Sequence, residues 1–323
     1  MEQVSKNGEC VVIEPSFNET DTKQDNAKEK SLRIKGFTLA ILAATLWGIS
    51  GSFGQYLFQQ KGVGVEWMIT VRMLVSGFIL LAASFFTNRQ SLFTIWHNKK
   101  DTRQLVFFSI TGMLAVQYTY FAAISHSNAA TATVLQFAGP VLIAVYQALK
   151  NKRLPSLTEI IAVFLAVLGT FLLVTHGNTS TLSISKMALI MGLSSAVALA
   201  IYTLQPVKLL NKYPSNTIVG WGMFIGGIAF SFVKAPWEIT GVWDFNTFLA
   251  ATFIVIFGTL LAFYAYLTAV KIIGGQKSSL LASAEPLSAT IIAVVWMNVS
   301  FFAMDWIGSA CIIATIFIIN RKK

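Results

Sequence analysis

Residues 120–140 read YFAAISHSNAATATVLQFAGP, and residues 266–286 read YLTAVKIIGGQKSSLLASAEP. At a constant offset of 146, without gaps, Tyr120, Ala123 and Pro140 fall on Tyr266, Ala269 and Pro286. The same offset carries Tyr56 onto Tyr202 and Gln59 onto Gln205, so the relation reaches beyond one pair of segments. Self-similarity at a fixed offset predicts one structural unit used twice. In each copy a proline lies inside an apolar run, where it removes a helix hydrogen bond and is expected to kink the chain. Matched breaks in two halves point to a binding site at mid-depth of a membrane.

Outward from these segments the chain is a succession of apolar runs. Ten are read, at 36–57, 67–86, 105–124, 129–149, 157–175, 187–207, 215–233, 247–270, 278–299 and 302–319. Each has about 18 to 24 residues, enough as a helix to cross roughly 30 Å of hydrocarbon. Composition agrees: hydrophobic residues make up 55% and charged residues 12% of the 323, about half the charged share of a soluble chain. The mean hydropathy of +0.65 and the 25 Phe point to lipid as the main solvent. Outer-membrane strands would show short alternating segments instead of unbroken runs. The predicted fold is an all-α membrane protein with ten transmembrane helices. Five spans per repeat is an odd number, so the second copy enters from the opposite face. That gives two inverted five-helix repeats, 36–175 and 187–320. Residues 1–30 are polar, bury too little to order themselves, and are expected to form a disordered cytoplasmic tail. No apolar core lies close to Met1, so a cleavable signal peptide is not expected.

Orientation follows from the basic residues in the connections. Lys28, Lys30, Arg33 and Lys35 precede the first run, and Arg89, Lys99, Lys100 and Arg103 follow the second. The later even gaps continue the pattern with Lys150, Lys152, Arg153, Lys208, Lys212, Lys271 and Lys277, and Arg321, Lys322 and Lys323 close the chain. The opposite side has Lys61, Lys186 and Lys234. The positive-inside bias therefore places both termini in the cytoplasm of a multi-pass protein of the cytoplasmic membrane.

Other classes lose their support. Cys10 and Cys311 cannot build a disulfide framework or a four-ligand zinc site by themselves. The net charge of +10 sits in short gaps and not on an aromatic-bearing basic face, so nucleic acid is not an expected partner. No HExxH, Walker loop or GxGxxG is present, and neither catalysis nor a cofactor is expected.

Leu46-Trp47-Gly48 in the first run, Arg72 in the second, and the paired Tyr, Ala and small residues leading to Pro140 and to Glu285-Pro286 resemble the EamA family of the drug/metabolite transporter superfamily. The resemblance spans roughly residues 36–320. It implies a ten-helix exporter of amino acids or related metabolites. Members of that family often carry a Glu about 13 residues beyond each proline, where this chain has Arg153 and Val299. A coupling role for such residues is not carried over.

Ionisable groups inside the runs are few, and each costs at least about 2.5 kcal/mol near the bilayer centre. Arg72 lies about seven residues, roughly 10 Å, into its run and can hold a carboxylate in two hydrogen bonds or pair with polar groups of neighbouring helices. Glu285, beside Pro286, can carry a proton, hold a substrate ammonium, or bond loosened backbone. Gln136 lies one turn before Pro140 on the same face and is a further candidate. Trp47, among Gly48, Gly51 and Gly54, can line a cavity wall, and Tyr120 and Tyr266, matched by the repeat, are read as cavity-lining. Tyr56 and Tyr202 are read as interfacial belt residues. Gly222 and Gly226 form a GxxxG suited to close packing or to contact in a homodimer. His97, His126 and His176 fall in connections and read as solvated.

Alternating access suits two inverted copies, so the chain is expected to act as a secondary transporter for a small molecule, with proton coupling as one mode and facilitated exchange as another. Uptake or exchange of a phosphorylated or nucleotide-linked sugar is the second transport reading, and an intramembrane enzyme the reading from another class.

Overall fold

The computed structural model describes residues 19–178, 185–297 and 302–321. Among them every regular element is a helix, as expected where lipid leaves backbone polar groups no partner outside the segment. The first half holds α1 (Glu19–Gln55), α2 (Val65–His97), α3 (Lys99–Phe107), α4 (Ala115–Ser125), α5 (Ala129–Gln136), α6 (Ala138–Lys150) and α7 (Leu157–Thr175). The second holds α8 (Lys186–Leu204), α9 (Val207–Lys212), α10 (Ser215–Ser231), α11 (Phe245–Val255), α12 (Ala262–Ile273), α13 (Gly275–Leu281), α14 (Ala284–Met297) and α15 (Ala303–Arg321). Wide π turns at Phe108–Leu114 and Ile256–Leu261 join α3 to α4 and α11 to α12, and a third at Tyr56–Gln60 ends the first column.

Local sequence sets the starts. Asn98, Asn128, Ser185 and Asp244 accept hydrogen bonds from backbone amides in the first turns of α3, α5, α8 and α11. Ser156 and Glu159 form a reciprocal capping box on α7. Glycine is required between α12 and α13, where Gly274 turns the chain at φ 84°.

Among the described residues each of the ten apolar runs falls largely on helix, yet six helical columns are both long and apolar enough to cross a membrane: Lys28–Gln60, Val65–Thr87, Lys99–Ser125, Thr131–Lys150, Lys186–Lys212 and Phe245–Ile273. Leu157–Leu172 and Ala303–Ile318 are shorter apolar helices. The count of ten is therefore coarser in the structure than in the sequence, because runs judged by hydropathy ignore where a helix stops. The prolines show this. The Pro140 ring would collide with the carbonyl of Gln136, and α5 ends at Gln136. Pro286 stands in the same relation to Ala282, and α13 ends at Leu281. Each proline then occupies the first turn of a new helix, α6 or α14, where its missing N–H has no partner to lose. The fourth and ninth runs are thus broken locally at the prolines, while Phe137 and Ala282 at the breaks keep right-handed helical dihedrals.

The amino-terminal stretch also differs. α1 begins at Glu19, so 19–30 are helical where a disordered tail is expected; the three Lys and two Glu of this stretch are good helix formers that extend a helix already nucleated in the apolar run. Residues 1–18 of that tail lie outside the described residues, as do 298–299 at the end of the ninth run.

Packing repeats between the halves. α1 packs on α12 and α14, while α8 packs on α4, α5 and α6; α2 pairs with α10, and α7 with α15. Exchanging the halves reproduces these pairings. α2 and α10 run antiparallel. The start of α2 meets the segment after α10 through Trp67 Nε1 to the Pro236 carbonyl (2.8 Å) and Thr70 Oγ1 to the Lys234 carbonyl (2.9 Å). Near its other end, the Leu92 carbonyl accepts from Trp221 Nε1 at 3.0 Å. Close approach depends on glycine: a Cβ on Gly77 would lie 2.6 Å from the Phe224 amide nitrogen, and one on Gly169 2.8 Å from the Gly308 carbonyl. Gly222 and Gly226 face Phe108, Met73 and the Ser109 carbonyl, so the GxxxG face is filled within the chain and is not offered to a second copy.

Both ends of the α2–α10 pair are tied. At one end Lys61 bonds Asp244 (2.5 Å), the Val242 amide bonds the Lys61 carbonyl (2.8 Å), and the Gly64 amide bonds Thr240 Oγ1 (2.8 Å). At the other Asp101 receives Lys212 (3.0 Å) and the Tyr213 hydroxyl (2.9 Å), while Gln104 and Gln205 exchange bonds to each other's carbonyls. Lys61 and Asp244 are exposed enough for water to screen the pair; even so the Lys61 hydrogen bond, with bonds from Thr247, holds the Asp244 carboxyl well below its ordinary range.

Candidate binding site

Helices from both halves surround one central cavity. α1 contributes Trp47 and Ser50, α2 Arg72, α4 Val116, Gln117, Tyr120 and Phe121, and α5 Gln136. From the second half come Leu199 and Tyr202 of α8, Phe263 of α12 and Glu285 of α14. The cavity between them is small, about 40 Å³. Gln136 ends α5 and Glu285 lies in the first turn of α14, so the two helix interruptions meet the cavity. Pro140 and Pro286 are buried and do not line it; they act by ending the helices whose tips do.

Arg72 is 2% exposed. Its Nε donates to Thr259 Oγ1 at 2.8 Å, and Thr259 in turn donates to the Ile254 carbonyl at 2.7 Å within a π turn. The turn's extra residue frees a carbonyl from the helix ladder and aims the threonine at α2. The guanidinium carbon lies 4.3 Å from the centre of the Phe121 ring and 5.9 Å from that of Phe263. These contacts orient the fork and desolvate it. Nη1 has no hydrogen-bond partner, and no carboxylate pairs with Arg72 among the described residues.

Glu285 is held differently. The Tyr120 hydroxyl donates to its Oε1 at 2.9 Å and also lies 2.9 Å from Thr133 Oγ1. Trp47 packs edge-on to Phe263 (5.1 Å between ring centres), and its Nε1 is without a partner. Gln136 lines the cavity, but its amide donates to Ser195 Oγ at 2.5 Å and ties α5 to α8.

Five of the six candidate binding residues, Trp47, Arg72, Tyr120, Gln136 and Glu285, come together around the cavity. The sixth, Tyr266, stands behind it: it is fully buried, stacks on Tyr202 at 5.6 Å, contacts Trp47 at 5.0 Å and bonds Thr203 at 3.0 Å. Tyr202 reverses its expected role. It is fully buried between Phe108 and Tyr266 and lines the cavity, because the α8 column continues through α9 and carries the polar boundary past it. Gln117, Phe121, Phe263 and Thr259 were not singled out by sequence. Gln117 could have been, since it lies three residues before Tyr120 on one helix face. His176 is no free solvated residue: its Nδ1 lies 2.7 Å from the buried Asp305 carboxylate, joining α7 to α15. No group of three or more metal-ligating side chains occurs among the described residues.

This geometry is that of a membrane protein with a buried polar site shared by two related halves. Residues 34–175 and 186–321 both match the EamA-like transporter family, and the chain belongs to that family. It is 38% identical over 286 residues to the uncharacterized inner membrane transporter YicL of Salmonella typhimurium, covering 88% of this chain and 95% of that one. It is 21% identical over 281 residues to the uncharacterized transporter YwfM of Bacillus subtilis, covering 87% and 92%. A crystal structure at 18% identity superposes with a TM-score of 0.70 over 90% of this chain and 96% of the other, a likeness of fold.

Proposed function

We propose that this protein is a secondary carrier of the cytoplasmic membrane, with both termini cytoplasmic and ten spans in two inverted repeats, that exports an amino acid or related small polar metabolite by alternating access. The observation that carries this reading is Arg72: a buried cation whose Nη1 is unpaired and which shares a cavity with Glu285 and no other Lys or Arg. A carboxylate would take Nη1 and Trp47 Nε1, and an ammonium would go to Glu285. Single positive charge suits a carboxylate better than a phosphoryl or nucleotide group, which disfavours the phosphorylated-sugar reading. Antiparallel matched helices support two interconvertible openings. If transport is proton-coupled, Glu285 is the group through which the proton would travel.

The test is efflux of labelled amino acids from vesicles holding the purified protein. Saturable flux is expected for the wild type, with losses of about tenfold or more in Arg72→Ala and Glu285→Gln, the size of a lost charged hydrogen bond. Wild-type rates in both variants would remove the proposal.

A further inference from the structure

We infer that Gln117 selects the cargo, and that the cargo bears, besides its charged groups, an uncharged side group that both donates and accepts hydrogen bonds: a carboxamide or a hydroxyl. The inference rests on the carrier reading above and deepens it. Gln117 is 2% exposed and lines the cavity, and neither Nε2 nor Oε1 of its amide has a hydrogen-bond partner among the described residues. Buried amides are normally paired, so a wholly unpaired one facing a cavity marks a place for a ligand.

The neighbouring glutamines sharpen the contrast, because each ties one segment to another. Gln55 Oε1 accepts from the Ala129 amide, Gln59 donates to the Ile124 and Ser127 carbonyls, Gln104 and Gln205 bond reciprocally, and Gln136 holds Ser195. Gln117 does none of this. It packs no helix against another through its amide, so fold maintenance does not explain it.

The unpaired groups around the cavity divide by type. Arg72 Nη1 and Trp47 Nε1 are donors, and a carboxylate satisfies both. Gln117 presents a donor NH2 and an acceptor carbonyl, and a carboxylate, which only accepts, cannot satisfy both. A carboxamide answers with a complementary pair, and a hydroxyl with one atom in both roles. Gln117 sits one turn from Phe121, over which the Arg72 guanidinium lies, so a side group reaching Gln117 extends from a head anchored at Arg72. An apolar side group would strand the amide, and sites built to bond a polar group reject analogues lacking it far more strongly than apolar sites reject an extra one.

The experiment uses the full chain in vesicles, with labelled glutamine and serine as polar probes and leucine and phenylalanine as apolar ones. Wild-type protein is expected to favour the polar pair by about tenfold or more. Gln117→Met and Gln117→Leu should lower polar flux by about tenfold and raise apolar flux, since no amide is then left stranded. Equal wild-type rates for polar and apolar probes, or the same factor of change for all four in either variant, would overturn the assignment of Gln117 while leaving the carrier intact. Flux of none of the four through the wild type would overturn the amino-acid reading and this inference with it.

Discussion

Gly48 lies where α1 crosses α14, beside Glu285. A Cβ placed there would fall within contact distance of Ser288 Oγ and the Glu285 backbone carbonyl, and 3.0 Å from the Ala289 amide nitrogen. Serine can rotate away; backbone cannot, so Gly48→Ala must push α1 and α14 apart. Overpacking of this kind costs about 1–3 kcal/mol. Replacing glycine within a helix also gains roughly 0.5–1 kcal/mol of backbone entropy, which blurs the net value. Gly54→Ala, on the same helix, removes the ambiguity. Its Cβ would lie 3.4 Å from Phe58 and 3.5 Å from Phe121, both ordinary contacts with side chains. The intrinsic gain is common to the two variants, so their difference isolates the crossing: about 1–3 kcal/mol, or several degrees in Tm. Thermal unfolding of both purified variants in detergent measures it. Flux by Gly48→Ala should fall as well, since the displaced carbonyl belongs to Glu285. Equal Tm values for the two alanine variants would refute the close approach of α1 and α14 at the site.

Thr259→Val keeps the shape of the residue that receives Arg72 Nε but strands a buried charged donor, so a loss of about 1–3 kcal/mol is expected, recovered by Thr259→Ser; a valine variant as stable as wild type by thermal unfolding would contradict the Arg72 contact. The Lys61–Asp244 tie carries a pH dependence with a definite sign. Asp244 has a lowered folded pKa, so its contribution is present above the unfolded carboxylate value and lost as pH falls through the folded one; Lys61, raised first by its hydrogen bond to Asp244, holds its share until pH rises past its folded value. Asp244→Asn keeps the cap on Thr247 and removes the charge. The Tm difference between wild type and Asp244→Asn should be flat from about pH 6 to 8 and begin to shrink below about pH 4, with part of it left at pH 3; a difference wholly unchanged from pH 7 to pH 3 would speak against the pairing.

Much of this arrangement is legible in the chain. Apolar runs locate the helices, since lipid permits little else, and prolines locate their interruptions, since ring sterics act on the residue four positions back. Charges inside runs find Arg72 and Glu285 because burying an ion needs a reason. What hydropathy cannot show is direction around a helix axis. Phe121, Phe263 and Tyr202 look like any other aromatics in a chain with 25 Phe and 8 Tyr, and only packing reveals which of them face the cavity. Tyr266 shows the same limit in reverse: the repeat marks it as special, yet it supports the wall instead of forming it. Gln117 escapes for a related reason, because an amide inside a run can as well tie helices together, as Gln136 does.

The ties at the two ends of α2 and α10 have a mechanical corollary. In the proposed carrier, a beam tied at both tips would serve as a spindle, and the opening would come from elsewhere. The segmented columns α5–α6 and α13–α14 are where continuous hydrogen bonding is already cut, and each contributes a residue to the chamber wall, Gln136 or Glu285. On the alternating-access reading proposed above, swinging either of those jointed arms about the spindle would uncover the chamber toward one face while its twin kept the other shut.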